Sequence, residues 1–140
     1  MNHLKNYQHN RLSLAGIIQS FRNAWNGFRV LLRHEYNLYI QLSIGFIVIV
    51  AGFYFDISRL EWMVQSTAIG LVIFSELVNT AVEKIMDLVH PDYSLQVKNI
   101  KDMAAASVLF TVAIAITVGL LIYWNRMFDA IGLVSTTLLQ

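Results

Sequence analysis

The amino-acid sequence predicts an all-α integral membrane protein, with three transmembrane helices preceded by an amphipathic surface helix. Three observations lead there. The 140-residue chain is 56% hydrophobic and 14% charged, where an ordinary soluble domain carries about 25% charged residues. Two of its segments run for twenty residues or more without a charge. The segment before them repeats apolar residues at helical spacing and is basic. The length suits one domain, residues 1–140, and not two. Without cysteine the chain has no disulfide, thiolate metal site or cysteine nucleophile. Its polar N-terminus, lacking an early apolar core, is not expected to act as a secretory signal.

The surface helix is expected over residues 12–34. Leu14, Ile17, Ile18, Phe21, Trp25, Phe28, Leu31 and Leu32 recur at steps of three and four, and Arg22, Arg29 and Arg33 fall off that stripe. A basic amphipathic helix just before a span belongs on the membrane surface; the plainer alternative is a helix packed on a partner protein. The first span is expected over 36–55, twenty uncharged residues from Tyr36 to Phe55, enough to cross a hydrocarbon core of ~30 Å. The second, 62–89, starts as an apolar run from Trp62 to Ser75 and continues without Gly or Pro through a stretch carrying acids. The third, 103–125, is again uncharged. A soluble three-helix bundle would need a polar face on every helix, and the first and third segments have none. His90-Pro91-Asp92-Tyr93-Ser94 is the strong turn signal between spans two and three. The tail, 126–140, is apolar but too short to span.

Charge orients the spans. The first 34 residues hold five Lys/Arg and no acid, and Lys84, Lys98 and Lys101 flank the second connection. The positive-inside rule then puts the N-terminus in the cytoplasm of a bacterial cell membrane. Tyr54, Trp62, Tyr123 and Trp124 all fall at the opposite face, as interfacial aromatics do.

Glu76, Asn79, Glu83 and Asp87 are spaced i, i+3, i+7, i+11, so one helix face presents three carboxylates and an amide. Glu76 lies roughly 15 Å along the axis from the cytoplasmic end of its helix. An acid in hydrocarbon costs on the order of 2.5–3.5 kcal/mol on insertion scales. It needs a partner, and no span has a Lys or Arg at that depth. For Glu83 and Asp87, nearer the interface, a solvated charged face is the plain alternative. Acids at a membrane–water boundary suit a hard divalent cation, and Mg²⁺ is usually held by one or two carboxylates plus substrate phosphates. Glu35, the only acid before the first span, is a further candidate. Lys101-Asp102 opens span three, where a Lys is commonly a snorkelling flank residue. There is no G-x-x-x-x-G-K-[ST] loop, and the four histidines lack zinc-site spacing.

These residues carry a resemblance. Glu76-Leu-Val-Asn79-Thr-Ala-Val-Glu83-Lys-Ile-Met-Asp87, then Pro91-Asp-Tyr93 and Lys101-Asp102-Met-Ala-Ala-Ala, resembles the prokaryotic diacylglycerol kinase/undecaprenol kinase family. Ser20-Phe-Arg-Asn-Ala-Trp25-Asn-Gly27 and Glu35-Tyr-Asn37 are similar to its surface-helix and first-span motif. The resemblance implies an ATP-dependent lipid kinase acting on a membrane lipid alcohol, undecaprenol or diacylglycerol. It also implies a homotrimer with active sites shared between chains at the cytoplasmic boundary. Carried over by position, Glu76 is the general base and Asn79 orders the acids. Glu35 and Glu83 hold Mg²⁺. Asp92, Tyr93, Ser94, Lys101 and Asp102 contact ATP, and Arg29 with the surface helix lines the lipid's path. The chain departs from the pattern at Ser94, where members often have His. Tyr39 and Gln41 stand for a common basic residue and His, and Gly16 for an Arg; Arg11 and Arg22 are the candidates to replace that Arg. The competing class is a non-catalytic small membrane protein or ion-transport subunit using Glu76 as its ion site. That class leaves Lys101-Asp102 and the polar connection unexplained.

Overall fold

The computed structural model describes residues 13–137. Arg11, Leu12 and residues 138–140 of the tail lie outside the described residues, as do the side chains of Leu31, Arg33, His34 and 130–137. The described chain forms four α-helices and no strand: α1 (Leu14–His34), α2 (Tyr36–Tyr54), α3 (Arg59–Val89) and α4 (Leu95–Thr137). It divides into two compact units, Met1–Tyr36 and Asn37–Gln140.

In the first unit, Ser13 starts α1. Its Oγ accepts from the Gly16 N–H at 3.2 Å, filling one of the donors a helix start leaves open, and its carbonyl accepts the first intrahelical bond, from the Ile17 N–H at 3.0 Å. Leu14, Ile18, Phe21 and Trp25 are exposed. The Arg29 guanidinium stands 5.7 Å from the centre of the Trp25 ring, a cation–π distance. One turn of helix separates the two residues, so the arginine reaches back over the aromatic side of α1.

In the second unit, a short turn joins α2 to α3. The Ile57 N–H donates to the Gly52 carbonyl at 3.2 Å and the Asp56 N–H to Phe53 at 3.4 Å, the pairing of a Schellman motif. Asp56 takes the left-handed position with φ 47°, which Asp tolerates better than most residues. Ser58 then caps α3 in a capping box. The Glu61 N–H donates to Ser58 Oγ, and the Ser58 N–H donates to Glu61 Oε2 at 2.7 Å. This cap starts the helix at Arg59, three residues before the expected Trp62. Gly52 is required here: a Cβ would lie 2.8 Å from the Trp62 ring.

The partners of α3 on α4 run in opposite sequence order. Glu61 meets Arg126, Gln65 meets Tyr123, Ser75 meets Thr111 and Asp87 meets Lys101. The two helices are therefore an antiparallel hairpin. Helix α4 is longer than the expected 103–125. It begins at Leu95, where the Lys98 N–H donates to the Ser94 carbonyl, and runs on into the tail. Pro91 is the chain's only proline, so no proline breaks it.

The unit is apolar outside and polar within. On α3 the buried residues are Gln65, Ala68, Ser75, Glu76, Asn79 and Thr80. Phe46, Ile47, Leu109, Phe110 and Leu121 are exposed. Water-soluble monomers rarely expose so continuous an apolar surface, and lipid accounts for it. Tyr36–Tyr54 and the Leu95–Asp129 part of α4 are long and apolar enough to cross a bilayer. Helix α3 is long enough, but its polar residues lower its hydropathy.

Where α3 begins, Arg126 forks onto Glu61, Nη1 to Oε1 at 2.8 Å and Nη2 to Oε2 at 3.0 Å. Those hydrogen bonds, and after them the Ser58 N–H, lower the Glu61 pKa from 4.5 to about 2. A depressed carboxylate pKa stabilises the fold above its unfolded value, and the gain is lost as pH falls through the folded value. The Tm advantage of the parent over Glu61→Gln, measured in detergent, is expected to be complete above pH 4.5 and to shrink toward pH 2. A difference that ignores pH across that window would assign the effect to packing.

Candidate active site

The polar face of α3 exists because its residues recur every three or four positions, and α2 and α4 cover it. Glu76 is 3% exposed. Its partner is neutral: Gln41 Nε2, on α2, donates to Glu76 Oε2 at 3.1 Å. One turn along, Asn79 Nδ2 donates to Glu83 Oε1 at 3.2 Å, linking two of the expected site residues directly. Asn79 Oδ1 is buried without a hydrogen-bond partner among the described residues. Ser75 and Thr111 share a hydrogen bond of 2.7 Å beside Glu76, tying this level of α3 to α4.

The non-helical residues between α3 and α4 form the second part of the site. A cavity of about 390 Å³ opens there. Asp92, Tyr93, Ser94, Lys101 and Asp102 all line it, with Asp87, His90 and Lys98. All five residues expected at a nucleotide site therefore converge on one cavity. Its cations are paired, Lys101 with Asp87 across the hairpin and Lys98 with Asp102 along α4. Asp102 draws the Lys98 ammonium pKa upward by its hydrogen bond and its charge. Tyr93 is among the most exposed aromatics of the chain, so its ring is open to a stacking partner.

Glu35 and Arg29 belong to the first unit. Glu35 is partly buried at the one-residue break between α1 and α2. Among the described residues, no three His, Asp or Glu side chains converge as a metal cluster. Sequence reasoning missed Gln41 as the partner of Glu76, along with His90 and Lys98. The charge of the second connection signalled Lys98. Nothing in the helical spacing signalled Gln41, which belongs to another helix.

A helical protein with an apolar exterior, an acid buried between its helices and a polar cavity at one end is built as a membrane protein with a polar site. The chain belongs to the prokaryotic diacylglycerol kinase family, whose model matches residues 22–123. It is a lipid kinase. It is 32% identical to the undecaprenol kinase of Bacillus subtilis (strain 168) over 117 residues, 84% of this chain and 95% of that one. Identity to the diacylglycerol kinase of Synechocystis is 34% over 104 residues, 74% of this chain and 59% of the relative. To the diacylglycerol kinase of Escherichia coli (strain K12) it is 21% over 117 residues, 84% and 96% of the two chains.

The Lys101–Asp87 pair offers a variant in which stability and nucleotide affinity can be measured separately. Both groups reach solvent, and exposed pairs contribute roughly 0–1 kcal/mol. Lys101→Ala is expected to unfold within ~1 kcal/mol of the parent while its KM for ATP rises severalfold. Equal losses of stability and of ATP affinity would make Lys101 a structural residue.

Proposed function

We propose that this protein transfers the γ-phosphoryl group of MgATP to the hydroxyl of a membrane lipid alcohol, undecaprenol or diacylglycerol, at the cytoplasmic boundary of the bacterial membrane. The observation that carries this reading is the buried Glu76, whose described hydrogen-bond partner is an amide. It stands on the same helix as the cavity that gathers Asp92, Tyr93, Ser94, Lys101 and Asp102. An amide partner leaves the carboxylate able to take a proton, as a base must.

The proposed arrangement has α2, α3 and α4 each crossing the bilayer, with the N-terminus in the cytoplasm and three chains assembled around shared sites. Helix α1 lies on the inner surface and lines the lipid's path with Arg29. The polar residues of α3 are admissible in a span because they face other helices and not lipid.

Glu76 accepts the proton of the lipid hydroxyl. The lipid oxygen bonds to the γ-phosphorus, the bond from that phosphorus to the bridging oxygen breaks, and ADP leaves with the electron pair. The proton on Glu76 is then released to water. Glu83 lies two turns nearer the cavity and, with Glu35, is the proposed ligand of Mg²⁺. The fit rests on hard oxygens: the Glu83 carboxylate and the unpartnered Asn79 Oδ1 lie one turn apart on one face. Glu83 and Glu35 would hold the ion, which would supply neutralisation of phosphate charge. Asn79 holds Glu83 by its hydrogen bond and so orders the acids. Asp92, Tyr93, Ser94, Lys101 and Asp102 hold the nucleotide, Lys101 by charge and Tyr93 by its open ring face. Phosphoryl transfer asks for this positioning and charge neutralisation more than for covalent catalysis.

Labelled ATP with each alcohol in mixed micelles, resolved by thin-layer analysis, tests the activity and names the substrate; no labelled lipid from a folded preparation would overturn it. Glu76→Gln is expected to bind ATP as the parent does and to lose at least ~10²-fold in kcat. Near-parent turnover would remove Glu76 as the base. Glu83→Ala is expected to need severalfold more Mg²⁺ for half-maximal activity, and an unchanged Mg²⁺ dependence in protein of parent oligomeric size would exclude it from the metal site.

A further inference from the structure

We propose that Gln41 is the positioning residue of Glu76, partnering the carboxyl group in both of its protonation states by turning its amide. This rests on Glu76 acting as the base. Two observations meet at this side chain. Gln41 Nε2 donates to Glu76 Oε2 at 3.1 Å across the gap between α2 and α3, which holds the ionised carboxylate ready to accept a proton. The other end of the same amide, Oε1, is buried without a hydrogen-bond partner among the described residues. A buried acceptor left unmet is costly, so its presence beside the base asks for a donor.

The reaction supplies that donor. Once Glu76 has taken the proton of the lipid hydroxyl, its carboxyl carries an O–H and no longer accepts at both oxygens. A half-turn of the amide about its last torsion exchanges Nε2 for Oε1 and lets Gln41 accept from the new O–H. When the proton leaves for water, the amide turns back. The amide carries both a donor and an acceptor at nearly equal reach, so it serves the two states alike. A Lys or Arg in its place would favour the ionised form throughout and oppose protonation. An apolar residue would leave both forms without a partner.

The surroundings keep this exchange between the two residues. Gln41 stands on the wall of a cavity of about 320 Å³ between α2, α3 and α4. Its other polar side chains, Gln65 and Tyr123, are bonded to each other and to the Val48 carbonyl. Ile44, Val72 and Val112 line it elsewhere. No carboxylate, histidine or lysine is among the residues that line this cavity, so on that side the Gln41 amide meets no charged partner that could draw it from Glu76.

The test uses the full chain, MgATP, and whichever of diacylglycerol or undecaprenol the parent phosphorylates in detergent micelles. Gln41→Leu is expected to lower kcat at least ~10-fold, as loss of a hydrogen bond to a charged group does, with KM for MgATP within about twofold of the parent's. In a Glu76→Gln background the same change is expected to cost nothing further, since the base it serves is gone. Gln41→His, which also carries a donor and an acceptor, is expected to recover most of the lost kcat and doubles as a folded variant should Gln41→Leu fail to assemble. The proposal falls if Gln41→Leu turns over at the parent rate, if its loss multiplies with that of Glu76→Gln, if KM moves and kcat does not, or if Gln41→His is folded and no better than Gln41→Leu. If Glu76→Gln itself stays active, the reading of Glu76 as base falls instead, and the two failures are distinguished by that single variant.

Discussion

In a hydrocarbon environment a polar side chain must find its hydrogen bonds within the protein, because no water is there to supply them. The second unit follows from this requirement. Helix α3 carries amides, hydroxyls and a carboxylate through a segment too polar to rest against lipid, so α2 and α4 must cover it. Each cross-helix hydrogen bond is also a register mark. Gln65 with Tyr123 and Ser75 with Thr111 set α3 against α4, while Gln41 with Glu76 and Gln65 with the Val48 carbonyl set α2 against α3. Apolar packing alone would not choose among neighbouring registers, since lipid tails are as apolar as the side chains themselves. The polar contacts decide where the helices stop sliding, and so where the site residues face.

Ion pairs stand at the two ends of the hairpin. The Arg126 fork on Glu61 closes one end, and the Lys101–Asp87 and Lys98–Asp102 pairs stand at the other. Between them lies Glu76, buried beside an amide. The contrast fits the different demands at each level. Ion pairs near water hold the helix ends at little desolvation cost, whereas a cation beside Glu76 would fix its charge and leave it unfit for the role of base proposed for it.

The helices were legible because their signals are local. Unbroken apolar runs marked α2 and the middle of α4, and the spacing of Glu76, Asn79, Glu83 and Asp87 placed one face of α3. The residues of the second connection also met as expected around one cavity. Boundaries were less legible. The Ser58–Glu61 capping box moved the start of α3 ahead of Trp62, and α4 took in both Lys98 and the tail because a flank of mixed polarity does not end a helix without a breaker. Gln41 was legible only as a departure from a family pattern. Its role depends on α2 lying against α3, and spacing within one helix holds no information about a partner thirty-five residues away.

The length of α4 has a consequence for where the cavity at its start sits. Its 43 residues extend for about 65 Å, against a hydrocarbon core of about 30 Å. Even a tilt of 40°, at the upper end of what spanning helices adopt, leaves more than a third of the rod outside the hydrocarbon. With the uncharged stretch from Met103 to Asn125 in the lipid, the two helical turns from Leu95 to Asp102 project roughly 12 Å past it, beyond the roughly 5–8 Å that headgroups occupy in each leaflet. The cavity at this end of the hairpin then opens on the aqueous side of the headgroups. The ATP proposed to bind there would reach Lys98 and Lys101 directly from water, without displacing the membrane's own phosphates.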